Sequence, residues 1–343
     1  MPTNLIRLPA EWEHQDGVLL AWPTPDSDWG EYLGAIETVF IQLTALISTY
    51  ERVILICHDL DNIRAKLIGS SANLKNINFI AIAINDTWMR DCGPIGVTLN
   101  NQVLLYDFGF NGWGLKFAAD LDNQINRQLQ RIRTFRCPMK TLGLVLEGGS
   151  IESDGAGTLL TTSKCLLSPN RNPHLNKIEL EKTFSNLFGT KQVLWLDYGF
   201  LAGDDTDSHV DTLARLCPDN TIIYTSCDDE TDEHFAELKK MEQQLKSFTT
   251  LDDKPFKLFP LPIPEAKFDN NKNRLPATYA NFLIINGAVL VPVYDDPADS
   301  VALCTIQQIF PTHKIIAINC NTVIVQHGSL HCLTMQLTQG TLS

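Results

Sequence analysis

No run of apolar residues in this sequence approaches the roughly 18 that a membrane-spanning helix needs, so insertion into a bilayer is not expected. The first seven residues, Met1 to Arg7, hold no basic-then-apolar leader, and the expected location is the cytoplasm. Basic side chains are scarce. The 27 Lys and Arg against 40 Asp and Glu leave a formal net charge of −13, which removes the basic face that nucleic-acid binding requires and favours a small cationic ligand. None of the nine cysteines stands in a Cys-x-x-Cys pair, and several, such as Cys57 after Val53-Ile54-Leu55-Ile56, lie in apolar runs where a thiol packs as a small hydrophobe; a disulfide framework is not expected. No Gly-x-Gly-x-x-Gly opens a helix, which argues against a nucleotide fold, and no Gly-x-Ser-x-Gly marks a serine nucleophile. No Pro/Gly/Ser-rich linker divides the chain, so residues 1–343 read as one domain.

What is present is a recurring module. Helical periodicity runs from Glu31 to Ser48, with Leu33, Ile36, Val39, Phe40, Leu43 and Leu46 on one stripe, and recurs more weakly at Asp120 to Ile132, Leu175 to Leu187, Asp232 to Phe248 and Ala298 to Phe310. Before each lies an apolar run that reads as a strand: Gly17 to Ala21, Gln102 to Tyr106, Gly157 to Thr162, Thr221 to Thr225 and Ala288 to Val293. Further strands are expected at Arg52 to Cys57, Val193 to Leu196, Lys314 to Ile318 and Asn321 to Gln326. The pattern gives an α/β fold of about five units, with a doubly wound sheet as the alternative.

Four polar clusters carry the chemistry. Cys332 follows the turn His327-Gly328-Ser329, where a fold displays a reactive side chain; the other reading is a buried core cysteine. His209 lies in the acidic loop Gly203 to Asp211, and strand alternation from Ser208 would place it beside Asp211 on one face. Neighbouring carboxylates raise an imidazole's pKa and make it an acid near neutrality. That loop also reads as a solvated acidic segment or as a metal site, although it does not follow calcium-hand spacing. Asp91 sits in Trp88-Met89-Arg90-Asp91-Cys92-Gly93-Pro94, where Arg90 and Asp91 read most simply as a surface ion pair. A tryptophan beside a carboxylate also suits a flat cation. Glu147 ends the run Leu144-Val145-Leu146, where a carboxylate is costly unless paired.

These motifs resemble the agmatine deiminase family, which also contains the bacterial peptidylarginine deiminases, within the guanidino-group-modifying pentein superfamily. The resemblance runs from Pro9-Ala10-Glu11-Trp12-Glu13-His14 to Gln336 and includes Phe110 to Lys116, Glu147-Gly148-Gly149-Ser150, Asn170-Arg171-Asn172-Pro173, His209-Val210-Asp211, Tyr279-Ala280-Asn281-Phe282 and His331-Cys332-Leu333-Thr334. It implies a five-bladed, pseudo-symmetric α/β propeller of ββαβ units. It further implies Cys332 as nucleophile, His209 as general acid/base, Asp91 and Asp211 as the carboxylates gripping the guanidinium, and Glu147 orienting the histidine. Trp88, Arg90, Trp113, Asp205 and Gly328 are then expected to contact substrate. Gln326-His327-Gly328-Ser329 departs from the run of three glycines common in the family, Ser208 stands where glycine is frequent, and Glu152 stands where many plant-type members carry histidine.

The implied reaction is hydrolysis of agmatine to N-carbamoylputrescine and ammonia through a cysteine thiouronium, in putrescine biosynthesis, with no metal or organic cofactor. Deimination of peptidyl-arginine, free arginine or another guanidine is the rival. An amidinotransferase would use the same intermediate, and a catalytically silent guanidinium-binding protein is the reading from another class. The expected partner is a small cationic guanidine, and a homo-oligomer is a possible assembly.

Overall fold

A computed structural model describes residues 5–342; Met1 to Asn4 and Ser343, the ends of the expected domain, lie outside the described residues. Its strands form five separate small sheets. The first has Gln15–Ala21 at its centre, paired antiparallel with Thr334–Thr338 and parallel with Arg52–Ile56, which pairs parallel with Ile77–Ile80. The second joins Ile6–Arg7, Ile95–Leu99, Gln102–Gly109 and Met139–Val145. The third contains Ile151–Ser153, Thr158–Thr162 and Gln192–Leu196; the fourth contains Ala214–Cys217, Thr221–Ser226 and Lys257–Pro262. The fifth contains Leu283–Ile285, Ala288–Val293 and Lys314–Asn319.

One connectivity recurs in all five: an antiparallel pair, then a helical crossover to a parallel strand. The crossovers carry the helices Leu33–Tyr50, Ile125–Arg131, Lys177–Phe188, Phe235–Ser247 and Asp299–Ile309, one for each periodic stretch in the sequence. Central strands are apolar on both faces, as parallel strands covered by helices require: Val18, Leu19, Leu20 and Ala21 are fully buried, as are Ala288 to Val291. The Lys177–Phe188 helix shows how local chemistry sets its ends. Asn176 and Glu179 form a reciprocal capping box, and Gly189 stops the helix at φ +69°, where an added Cβ would sit 2.0 Å from the Ile6 carbonyl oxygen. Leu33–Tyr50, with the 3₁₀ turn before it, is long and apolar enough to cross a membrane, yet Ile36, Val39, Phe40, Leu43 and Ile47 are packed in the core.

Three expectations change. Asn321 to Gln326 is no strand: Val323–Gln326 is a 3₁₀ helix, with Val323 and Ile324 buried together, ended by His327 at φ +65°. No strand begins at Ser208 either, because Asp207 and Ser208 are both left-handed and His209 opens the 3₁₀ turn Val210–Thr212. The Asp120 to Ile132 helix is shorter, a 3₁₀ turn at Asp122–Gln124 leading into Ile125–Arg131. Apolar β-branched runs do not distinguish a short strand from a 3₁₀ turn.

Candidate active site

The segment entering the first strand of each sheet carries a site residue. Asp91, in the short helix Met89–Cys92, precedes Ile95–Leu99; Glu147-Gly148-Gly149 precedes Ile151–Ser153; His209 to Asp211 precedes Ala214–Cys217; Asn281 precedes Leu283–Ile285; and His331-Cys332 precedes Thr334–Thr338. Repetition of one connectivity therefore assembles residues far apart in sequence. It also explains why Asn281 belongs: its Oδ1 accepts from the backbone N–H of His331 (2.9 Å) and of Cys332 (3.3 Å) and lies 3.4 Å from the Cys332 thiol. The motif around Asn281 was visible in the sequence, but no charge or nucleophile drew attention to it.

Cys332 lies at the base of a pocket walled by Trp88, Trp113, Phe117 and His327, with Asp28, Asp86, Asp91 and Asp205 supplying its charge. Trp113 is held left-handed at φ +54° and donates from Nε1 to Asp91 Oδ2 at 2.8 Å. The Gly149 N–H donates to Asp91 Oδ1 at 3.0 Å. Gly328 makes room for Trp88, since a Cβ there would lie 2.2 Å from the indole. Trp88 in turn donates to Asp86 Oδ2 at 2.9 Å.

Behind the thiol stand three buried groups. The His209 ring makes no hydrogen bond; its Nδ1 is 3.6 Å from Asp91 and its Nε2 is 3.9 Å from Glu147. Glu147 is fully buried and receives the Arg171 Nε–H at 2.8 Å from one oxygen and 3.0 Å from the other. Asp211 accepts from the His331 ring at 2.7 Å through Oδ2, while its buried Oδ1 has no partner. Gly149 lets the backbone pass here: a Cβ would stand 2.7 Å from His209 Nδ1, 2.9 Å from Asp91 Oδ1 and 3.1 Å from Asp211 Oδ2.

Burial, aided by Asp211 and Asp91, pushes the Cys332 thiol well above its ordinary value. Burial also raises Asp91, against the opposing pull of His209. It pushes Asp86 up to about 6, and Asp205 likewise to about 6 although His327 draws it down. Burial alone would depress His209, but Asp91, Cys165 and Glu147 hold it well above the usual histidine value. These shifts favour a protonated thiol and a protonated imidazole among carboxyls, a setting suited to a cation.

Arg90 is placed differently from its expected substrate contact. It is neither a surface residue nor a lining of this pocket: the guanidinium is buried, donates to the His331 carbonyl and Gln336, and faces a second cavity with Glu11 and Glu152. Adjacent residues of a one-turn helix point apart, so Asp91 takes one side and Arg90 the other. Asp207, in the loop that also reads as a solvated acidic segment, is bound by Lys116 (2.8 Å) and Arg171 (2.6 Å), and Asp204 accepts the Ser208 N–H. Only Asp205 of these three faces the pocket. Sequence reasoning gave no role to Arg171, His331, Glu11, Arg215 or Glu152, and Asp28 and Asp86 went unnoticed.

Among the described residues, two sets of donor atoms are close enough for a metal ion, Glu147/Cys165/His209 and Glu11/Glu152/His331. In each a guanidinium already occupies the carboxylates: Arg171 on Glu147, and Arg215 bridging Glu11 and Glu152. The carboxylates of both clusters are met by arginine.

A family model for Porphyromonas-type peptidyl-arginine deiminases matches residues 7–338. The chain is 31% identical to the agmatine deiminase of Pseudomonas aeruginosa, over 96% of this chain and 95% of that protein. A crystal structure provisionally assigned as a peptidyl-arginine deiminase superposes with TM-score 0.94 at 47% identity, covering 98% of this chain and 99% of the other. The C. jejuni agmatine deiminase, solved with substrate bound as a cysteine-to-serine variant, gives TM-score 0.93 at 38% identity over 99% and 98% of the two chains.

Proposed function

This chain belongs to the Porphyromonas-type peptidyl-arginine deiminase family, and we propose that it hydrolyses the guanidino group of agmatine to N-carbamoylputrescine and ammonia. The observation that carries the reading is the thiol of Cys332 set between two buried carboxylates, Asp91 and Asp211, at the base of an acidic pocket walled by tryptophan. Residues 1–343 act as one catalytic domain, and the five sheets serve as blades of a five-bladed α/β propeller of ββαβ units that brings the five entry segments together.

A guanidinium is planar, with N–H donors that match carboxylates in pairs. Asp91 and the free Oδ1 of Asp211 grip it, and its charge cancels the two carboxylates that hold the thiol protonated, so substrate itself promotes release of the thiol proton to solvent. The thiolate adds to the guanidinium carbon. His209 gives its proton to one nitrogen, ammonia leaves, and an alkylthiouronium remains on Cys332. The now neutral His209 takes one proton from water, whose oxygen attacks the same carbon; the C–S bond breaks, the remaining proton of that water returns to the departing sulfur, and the ureido product leaves. Glu147, fixed by Arg171, and Asp91 keep the imidazole in place through both proton transfers.

The distal ammonium of agmatine falls among Asp28, Asp86 and Asp205, and neither Lys nor Arg is among the described residues lining this pocket. Arginine differs from agmatine by an α-carboxylate, which there meets Asp28, Asp86 and Asp205, with His327 as the basic side chain among the described lining residues. One such contact at 4 Å costs about 4 kcal/mol at a protein-surface dielectric before screening, and a quarter of that is roughly fivefold. Steady-state kinetics on agmatine, arginine and a blocked arginyl peptide test this. Agmatine should have the highest kcat/KM, with its advantage reduced by salt and by Asp205→Asn. Equal or faster turnover of the peptide would move the assignment to protein-arginine deimination.

A further inference from the structure

His331 has no part in the bond-making steps, yet both of its ring nitrogens are tied to carboxylates. Its ring is buried, with Nδ1 2.7 Å from Asp211 Oδ2 and Nε2 2.7 Å from Glu11 Oε2. A carboxylate oxygen can only accept, so both contacts are hydrogen bonds when both ring nitrogens donate; Arg215 Nη2, itself a donor, also lies 3.2 Å from Nε2, farther than Glu11. Glu11 is itself fixed: Oε1 accepts the Ile284 N–H at 2.9 Å, and Oε2 also accepts from Arg215 at 3.0 Å. Burial alone would raise the Glu11 carboxyl, but His331, Arg215 and Arg90 hold it below its ordinary range. At the other end the buried Oδ1 of Asp211 is left without a partner.

We propose that His331, braced by Glu11, is a positioning residue that holds Asp211 as a carboxylate with one oxygen tied and the other free for the substrate's guanidinium. The proposal rests on the guanidine-deiminase reading. The alternative is that His331 and Glu11 only fill and stabilise the interior. Asp211 is faced by His331 and Cys332 from the C-terminal turn, His209 from its own loop, Asp91 and Arg90 from the Met89–Cys92 helix, and Arg215 from the strand that follows. Burial would raise Asp211, and it is His331, then His209 and Arg215, that keep it low. Loss of the His331 contact therefore leaves Asp211 to gain a proton, which weakens the cation grip and at the same time relieves the negative charge that suppresses ionisation of Cys332.

These two consequences run in opposite directions and can be read on the thiol. Alkylation of Cys332 should be timed with chloroacetamidine, a cationic amidine, and with neutral iodoacetamide, in the full chain and in His331→Gln, Glu11→Gln and the double variant. In His331→Gln the amidine rate should fall by about tenfold or more, as loss of a charged hydrogen bond predicts, while the iodoacetamide rate holds or rises. The acid limb of amidine alkylation should move to higher pH. Glu11→Gln should show the same pattern more weakly, and the double variant should be no worse than His331→Gln. Parallel loss with both probes, an unchanged amidine rate, or additive effects in the double variant would overturn the proposal. If His331→Gln does not fold, Glu11→Gln alone decides between these outcomes. Agmatine turnover is followed separately, so failure to use agmatine with the probe pattern intact would remove the substrate assignment and leave the positioning role.

Discussion

Cys332 is suppressed as a nucleophile by its own surroundings, since burial, Asp211 and Asp91 all oppose its ionisation. A thiol so placed is protected from adventitious oxidation until a cation arrives. Cys332→Ser should therefore lower kcat by about 10⁴-fold or more while leaving the fold intact. Asp91→Asn separates the two effects of the carboxylate. It should cut kcat/KM for the guanidine by about 10²-fold or more, and in the free enzyme it should quicken alkylation by iodoacetamide, because one suppressing charge is gone. Slower alkylation in that variant would show that Asp91 does not restrain the thiol. Candidates of this kind stand out in the sequence because the proposed chemistry needs their side-chain types, a thiol, an imidazole and carboxylates in turns, and the structure brings Asp91, Glu147, His209, Asp211 and Cys332 together. His331, Glu11 and Arg215 do not stand out, because their role depends on bonds between segments as distant as Glu11 and His331, and no local pattern records such a pairing.

Among the elements, the five crossover helices were recovered in place because each buries an apolar stripe, although the second is shorter than expected and Leu60–Ile68 was not anticipated, whereas entry segments were misread where they are shortest. His209 and Asp211 were expected to share a face by strand alternation; they converge instead because Asp207 and Ser208 turn the chain at φ +68° and +64°, held by Arg171 and by Asp204. Side-chain bonds outside the segment outweigh the local preference against left-handed backbone. In Glu147-Gly148-Gly149 the second glycine is a close approach. Gly149→Ala should cost about 1–3 kcal/mol of stability, the usual range for overpacking. Its effect on rate should be larger, about 10²-fold or more, because the added methyl must displace His209, Asp91 or Asp211 and such sites tolerate little misplacement. Denaturant unfolding together with kcat measures both, and a rate loss no larger than the stability loss would assign Gly149 to the fold alone.

The two ends of the chain meet in the whole molecule. Thr334–Thr338 completes the sheet centred on Gln15–Ala21, and the turn between Leu283–Ile285 and Ala288–Val293 locks onto that same first sheet. Asn286 in that turn exchanges hydrogen bonds with Gln15, its Oδ1 accepting the Gln15 N–H at 3.1 Å and its Nδ2 donating to the Gln15 carbonyl at 2.9 Å; its own N–H donates to Glu51 Oε2 at 2.8 Å. This seam joins segments more than 230 residues apart, and nothing in the local sequence marks it. Glu51 is its costly member. The carboxyl is buried with Oε1 unpartnered, and burial, reinforced by Glu11 and Asp16, pushes it up to about 7 from an ordinary 4.5. A carboxyl raised in the folded state favours folding at low pH, and that contribution is lost as pH climbs from about 4.5 through about 7. Glu51→Gln keeps an acceptor for Asn286 but has no proton to lose. Its stability relative to the parent should therefore be near its minimum at pH 4.5, grow by about 2–3 kcal/mol by pH 8, and level off above. Urea unfolding of both proteins across that range gives the difference directly, and a difference independent of pH would mean that Glu51 is as comfortable ionised in the seam as in the unfolded chain.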